Sequence, residues 1–226
     1  MKYLIYSLFT HSEPVISPTH TGIDNQPLTI IYYQQLNAVV SKITSTPLSK
    51  EVAILLKYHQ LIESLHEQYS VIPIRYGCLF ESETQIQRWL ETNYTTYKNL
   101  LAKIKDCVEI GIRILPSETP PLKPTQAEKS TGKNYLGARQ QFYLAQDQLT
   151  AEQKQLVITL YHHLSKFIKA SKQEYHFTSR LTSLYFLVPK THIQLFRDSF
   201  ARIDSNTTIK LFLNGPWAPY NFVNTD

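Results

Sequence analysis

Three side chains able to bind metal or move protons, His59, Glu63 and His66, recur at spacings of four and three residues. On a helix all three turn into one space, the arrangement of a metal-binding face. A closed metal site needs further ligands, and no nearby motif offers them. The same helical arc carries Leu48, Val52, Leu55 and Ile62, so the expected reading is half-buried histidines with Glu63 as a hydrogen-bond partner. His162 and His163 are adjacent and would point about 100° apart on a helix, which does not suit chelation by the pair. There is no G-x-S-x-G, no H-E-x-x-H and no glycine-rich phosphate loop, with only 6 glycines in all. Glu81 and Glu83 open a helix and suit its dipole rather than acid–base chemistry. A non-enzyme without metal or cofactor is expected.

Arg75 lies between Ile74 and Tyr76, with Gly77 next, inside an apolar run. A strand there would bury the guanidinium, which then needs a carboxylate or carbonyl partner. The expectation is a structural ion pair or an anchor for carbonyls of the C-terminal ribbon, since no phosphate-binding loop accompanies it. Cys78 and Cys107 lack C-x-x-C spacing and read as small buried hydrophobes in a reducing compartment.

The C-terminal stretch Gly215-Pro216-Trp217-Ala218-Pro219-Tyr220-Asn221-Phe222-Val223 joins backbone-restricting residues to three aromatics. Gly215 before Pro216 and Ala218 before Pro219 force an extended or turning path, so Trp217, Tyr220 and Phe222 should project from a stiff ribbon. So apolar a terminus is expected to dock, either back on its own domain or on a partner.

The elements that must position these residues follow from periodicity and punctuation. Residues 2–9 read as a strand buried in mid-sheet, because both faces are apolar apart from Lys2 and Ser7. Residues 11–27 read as a loop marked by Pro14, Pro18, Gly22 and Pro27, and 28–33 and 37–43 read as shorter strands. Thr46-Pro47 reads as a helix start, with the helix running to Tyr69. Residues 71–80 read as a strand with Ile72, Ile74, Tyr76, Cys78 and Phe80 on one face. Ser82-x-x-Gln85 opens a helical region to about Lys105, broken near Asn93. Residues 116–131, rich in Pro, Ser, Thr and charge, read as a loop or linker.

A second unit then emerges: strand 107–115, helices 133–147 and 151–171, strands 174–178 and 184–189, helix 192–203 and strand 207–213. This spells βαββαβ, the ferredoxin-like order, with Thr150-x-x-Gln153 and Thr191-x-x-Gln194 as capping boxes. The expected architecture is α+β in two domains. A mixed domain of residues 1–106 precedes a modified ferredoxin-like domain of residues 107–213, and an aromatic tail of residues 214–226 packs back.

A length of 226 residues with 42% hydrophobic content suffices for a sizeable core. No run reaches the roughly 18–20 apolar residues of a membrane span, and the first residues do not form a signal peptide, so a cytoplasmic protein is expected. The net charge of +5 and pI near 9.0 raise the question of nucleic acid. The basic residues are scattered among acidic ones, however, which argues against that partner. Fifteen tyrosines within 12% aromatic content favour an interaction surface, since Tyr buries its ring while keeping its hydroxyl wet.

The closing residues resemble the gas vesicle protein F/L family, in which a strand runs into a Gly-Pro-Trp-x-Pro-Tyr-x-Phe ending, here Gly215 to Phe222. Upstream, His59-Gln60-Leu61-Ile62-Glu63 followed by Pro73-Ile74-Arg75-Tyr76-Gly77 is similar to that family's His-bearing helix and Pro-x-Arg-Phe-Gly. Tyr76 replaces the usual Phe, and Gln60 stands where an acidic residue is common. The order of elements fits over nearly the whole chain. The resemblance implies a non-enzymatic minor structural or assembly protein of gas vesicles, located with them in the cytoplasm. Its implied partners are the hydrophobic main shell protein and other minor gas vesicle proteins. Arg75, Tyr76, Gly77, Gly215, Pro216, Trp217, Pro219, Tyr220 and Phe222 are the candidate structural or partner-docking residues.

Two other classes stand beside this. A ferredoxin-like RNA-binding or RNA-processing protein would need a glycine-rich basic loop or paired strand aromatics, and neither is present. A small-ligand regulatory module would show thermal stabilisation by a metabolite.

Overall fold

Strand β1 (Lys2–Thr10) is buried from Leu4 to Phe9, as its two apolar faces require of a central strand. The computed structural model describes residues 2–10, 20–44, 47–115, 150–176 and 181–223. Residues 11–19 of the expected loop over 11–27, the linker over 116–131 and the helix over 133–147 lie outside the described residues, as does Thr46.

Strands β2 (Leu28–Tyr33) and β3 (Leu36–Ile43) form a hairpin whose turn holds Gln34 at φ +52°. β3 pairs antiparallel with one edge of β1. Two short strands, β4 (Ile72–Pro73) and β5 (Leu79–Phe80), share its other edge. The expected single strand over 71–80 is therefore corrected. Gly77, at φ +100°, turns the chain between two separate pairings with β1.

Helix α1 (Val52–Gln68) starts five residues later than Thr46-Pro47 suggested, with Glu51 as N-cap and no side-chain cap bond. Helices α2 (Glu83–Thr92) and α3 (Tyr94–Ile104) are divided at Asn93 as expected. The Ser82 hydroxyl accepts the Gln85 N–H at 3.2 Å, while the Gln85 side chain accepts from Glu81 N–H at 2.8 Å. The reciprocal half of the capping box is thus displaced by one residue.

Beyond these come β6 (Cys107–Ile114), α4 (Ala151–Leu164), β7 (Ala170–His176), β8 (Leu181–Pro189), α5 (Ile193–Asp204) and β9 (Leu211–Trp217). These strands form a second sheet in the order β7-β8-β6-β9. The Thr150–Gln153 capping box is present in full. The one expected at Thr191 is not: His192 is the N-cap of α5, and the Gln194 side chain bonds Asp198 instead.

The architecture is mixed α+β with two compact units. One comprises residues 1–109 with 216–226, the other residues 110–215. The core of the first gathers Leu4, Tyr6, Phe9, Val39, Tyr58, Ile62 and Leu65 around Ala218. The second is packed by Ile112, Leu160, Phe186 and Phe196, with the Phe186 and Phe196 rings 5.4 Å apart.

Candidate docking surface

The long helix α1 buries Tyr58, Leu61, Ile62, Leu65 and His66, and its neighbouring face receives the returning C-terminal segment. There the tail changes from strand to a short 3-10 turn (Tyr220–Phe222). Pro219 removes a backbone donor at the bend, and the turn closes through Tyr220 N–H to Ala218 carbonyl at 2.9 Å and Phe222 N–H to Pro219 carbonyl at 3.2 Å. Ala218, Pro219, Phe222 and Val223 are buried.

Two carboxylates hold this turn. Glu63 on α1 accepts the Ala218 N–H with both oxygens, at 3.0 and 3.2 Å. Glu109 on β6, itself buried, accepts the Asn221 backbone N–H at 2.8 Å and its side-chain amide at 2.6 Å. A buried acceptor bonded to otherwise orphaned N–H groups satisfies both sides at once. Burial raises the Glu63 carboxyl above its ordinary value, against lowering by the Ala218 N–H and His59, with Glu67 raising it further. The Tyr220 phenol is pushed up by burial first and then by the charges of Glu63 and Glu109.

Trp217 stands apart from its buried neighbours. It is 41% exposed, with its ring centroid 5.3 Å from that of His59, which also faces Tyr220 at 6.3 Å. Along α1, Val52, Leu55 and Leu56 precede His59 by seven, four and three residues and so share its face. They are 71%, 37% and 53% exposed. One end of this helix face is thus roofed by the tail and the other is an open apolar stripe ending at Trp217. The sequence reading puts Val52 and Leu55 on one apolar arc with Leu48 and Ile62, without distinguishing its covered end from its open one.

Other expected residues fall as follows. Tyr76 donates its hydroxyl to the Ser49 carbonyl at 2.8 Å and meets the Tyr58 ring edge-on at 5.1 Å. Arg75 is exposed in the turn, which corrects the expectation of a buried strand arginine. The tail carbonyl of Gly215 accepts from Arg197 Nη2 at 3.0 Å. Gly215 itself sits at φ +98°, like Gly77 in a conformation that side-chain-bearing residues rarely adopt. Pro216 is exposed beside it.

His59 Nε2 lies 3.8 Å from Glu63 Oε1, and His66 is buried. Among the described residues no group of three or more His, Cys, Asp or Glu is placed to hold a metal ion. No helix there is long and apolar enough to cross a membrane.

The chain matches the family described as gas vesicle synthesis protein GvpL/GvpF over residues 2–224. It is 20% identical to gas vesicle protein L1 of Halobacterium salinarum, covering 98% of this chain and 89% of the relative. Its fold is similar to the crystal structure of gas vesicle protein GvpF from Microcystis aeruginosa, with TM-score 0.80, 16% identity and 99% of each chain covered. GvpF from an Anabaena species gives TM-score 0.81 at 15% identity, covering 100% of this chain and 97% of the other. With nearly every residue inside the matched span, this chain belongs to the gas vesicle synthesis protein GvpL/GvpF family.

Proposed function

We propose that this chain binds the hydrophobic main shell protein of gas vesicles through the stripe formed by Val52, Leu55, Leu56, His59 and Trp217. Family membership gives the role of a minor structural or assembly protein of gas vesicles, without catalysis. The observation that carries the docking surface is the open apolar end of a helix face whose other end is already covered by the tail. Contiguous exposed apolar surface marks an interaction site. An exposed tryptophan at its border is the kind of side chain that dominates binding energy.

In this reading Ala218, Pro219, Tyr220 and Phe222 seat the tail so that Trp217 is presented outward. Gly77 and Tyr76 shape the turn beside Tyr58, and Gly215 and Pro216 direct the strand into the bend. Residues 107–213 act as a ferredoxin-like domain, distinct from residues 1–106 and the tail 214–226. The strand order β7-β8-β6-β9 and the βαββαβ sequence support that assignment. The protein works at the gas vesicle, within the cytoplasm, with other minor gas vesicle proteins as further partners.

The test is retention of full-length chain on washed gas vesicles and capture of the shell protein, comparing wild type with Leu56→Glu and Trp217→Ala. Both side chains are exposed, so circular dichroism and melting should stay unchanged while retention falls. Undiminished retention and shell-protein capture by both variants would overturn the assignment of this surface.

A further inference from the structure

Charge is divided unevenly between the two units. Residues 110–215 hold 14 Lys and Arg against 7 Asp and Glu, whereas residues 1–109 with 216–226 hold 9 against 11. The excess positive charge of the protein therefore belongs to the second unit alone.

Within that unit a groove of about 830 Å³ runs between α4 and α5. Its floor includes the buried Leu156 and Ile203 and the half-buried Ile209. Lys166, Arg202 and His163 stand on its exposed rim, with Glu152 as the opposing charge. Lys166 lies over the Phe167 ring at 5.0 Å. Neither Lys166 nor Arg202 has a carboxylate within ion-pair distance among the described residues.

We propose that this groove binds an acidic, amphipathic peptide segment of a partner protein, with apolar side chains on the Leu156–Ile203–Ile209 floor and carboxylates against Lys166 and Arg202. An apolar floor with charge on its border is the arrangement that takes an amphipathic helix, and complementary charge sets its specificity and association rate. Nucleic acid fits less well, because among the described residues no Phe, Tyr or Trp lines the groove for base stacking and His163 is the one ring on its rim. The chain's own residues 116–149 also complement it poorly, carrying four basic against three acidic residues. This site is independent of the stripe on α1.

The test is fluorescence anisotropy of the full chain with a labelled synthetic peptide carrying Glu and Leu at helical spacing, beside its Gln-for-Glu counterpart. Binding of the acidic peptide should weaken as salt rises and fall about tenfold or more in Lys166→Glu/Arg202→Glu. The neutral peptide should bind weakly to both proteins. Both substitutions are at exposed side chains, and an unchanged melting curve checks the fold. Equal affinity of wild type and variant for the acidic peptide would overturn the proposal. So would a homopolymer RNA that binds wild type more tightly than the peptide and is lost on the same charge reversal. Short amine-reactive cross-links joining Lys166 to Lys123, Lys129 or Lys133 in the free chain would assign the groove to the chain itself, with the same consequence.

Discussion

The Glu63 carboxylate takes the backbone N–H of Ala218 across 155 residues of sequence, tying the middle of the long first helix to the returning tail. Removing the acceptor leaves a buried donor unpaired, and that is the costly side of a hydrogen bond. Glu63→Ala should therefore lower unfolding free energy by about 1–3 kcal/mol in urea titrations. Glu63→Gln keeps a carbonyl oxygen in place and should lose less.

The same carboxyl confers a pH dependence. Its folded value lies above 4.5, chiefly through burial, so the folded chain holds this proton to higher pH than the unfolded chain does. The sign follows from linkage: the contribution of Glu63 is complete below about 4.5 and is lost as pH rises through the elevated folded value. Glu63→Gln should remove this part of the slope when melting is compared across that window.

Phe222 and Trp217 lie five residues apart and should separate stability from binding. Phe222→Ala empties a buried site and should cost about 3–5 kcal/mol in chemical denaturation. Trp217→Ala should stay within about 0.5 kcal/mol of wild type, in line with exposed substitutions, while reducing capture of the shell protein.

Two arginines make a second contrast. Arg75→Leu, in an exposed turn, should stay within about 0.5 kcal/mol of wild type. Arg197→Leu removes the donor to the Gly215 carbonyl. It should raise amide hydrogen exchange in residues 211–217 relative to Arg75→Leu.

The single Tyr58 hydroxyl hydrogen is shared between the Ile5 carbonyl at 2.7 Å and the Ile74 carbonyl at 2.8 Å, linking α1 to both β1 and the turn after β4. Tyr58→Phe preserves the ring packing and should cost about 1–3 kcal/mol, measurable as a lower urea midpoint with unchanged slope.

Local sequence signals located most elements because each is written in neighbouring residues. The two-faced apolar run of β1, the break at Asn93 and the Thr150 cap are of this kind. Residues 71–80 misled because their period-two pattern is real, yet Gly77 interrupts the pairing and only the partner strand reveals two separate contacts. The start of α1 was displaced because Thr46-Pro47 imitates a helix opening, whereas the structure begins the helix at Val52 behind an N-cap with no side-chain bond. The tail motif marked the docking segment, and its aromatics were legible as such. What grips it was not: Glu63 read as a histidine partner, and Glu109 fell inside a stretch read only as a strand. The available signal was Glu109 within Cys107–Ile114, where an acid in an otherwise buried strand must find donors. Their identity as N–H groups more than a hundred residues away is a tertiary fact.

The first unit is assembled from two distant stretches, residues 1–109 and 216–226, and this has a consequence for biosynthesis. A ribosome must read through all of 110–215 before Ala218, Phe222 and Val223 can fill their places. At about 5–20 residues per second that interval is roughly 5–20 s, during which the nascent first unit lacks part of its core. Residues 110–215 are continuous in the message, so the later-encoded unit can close first.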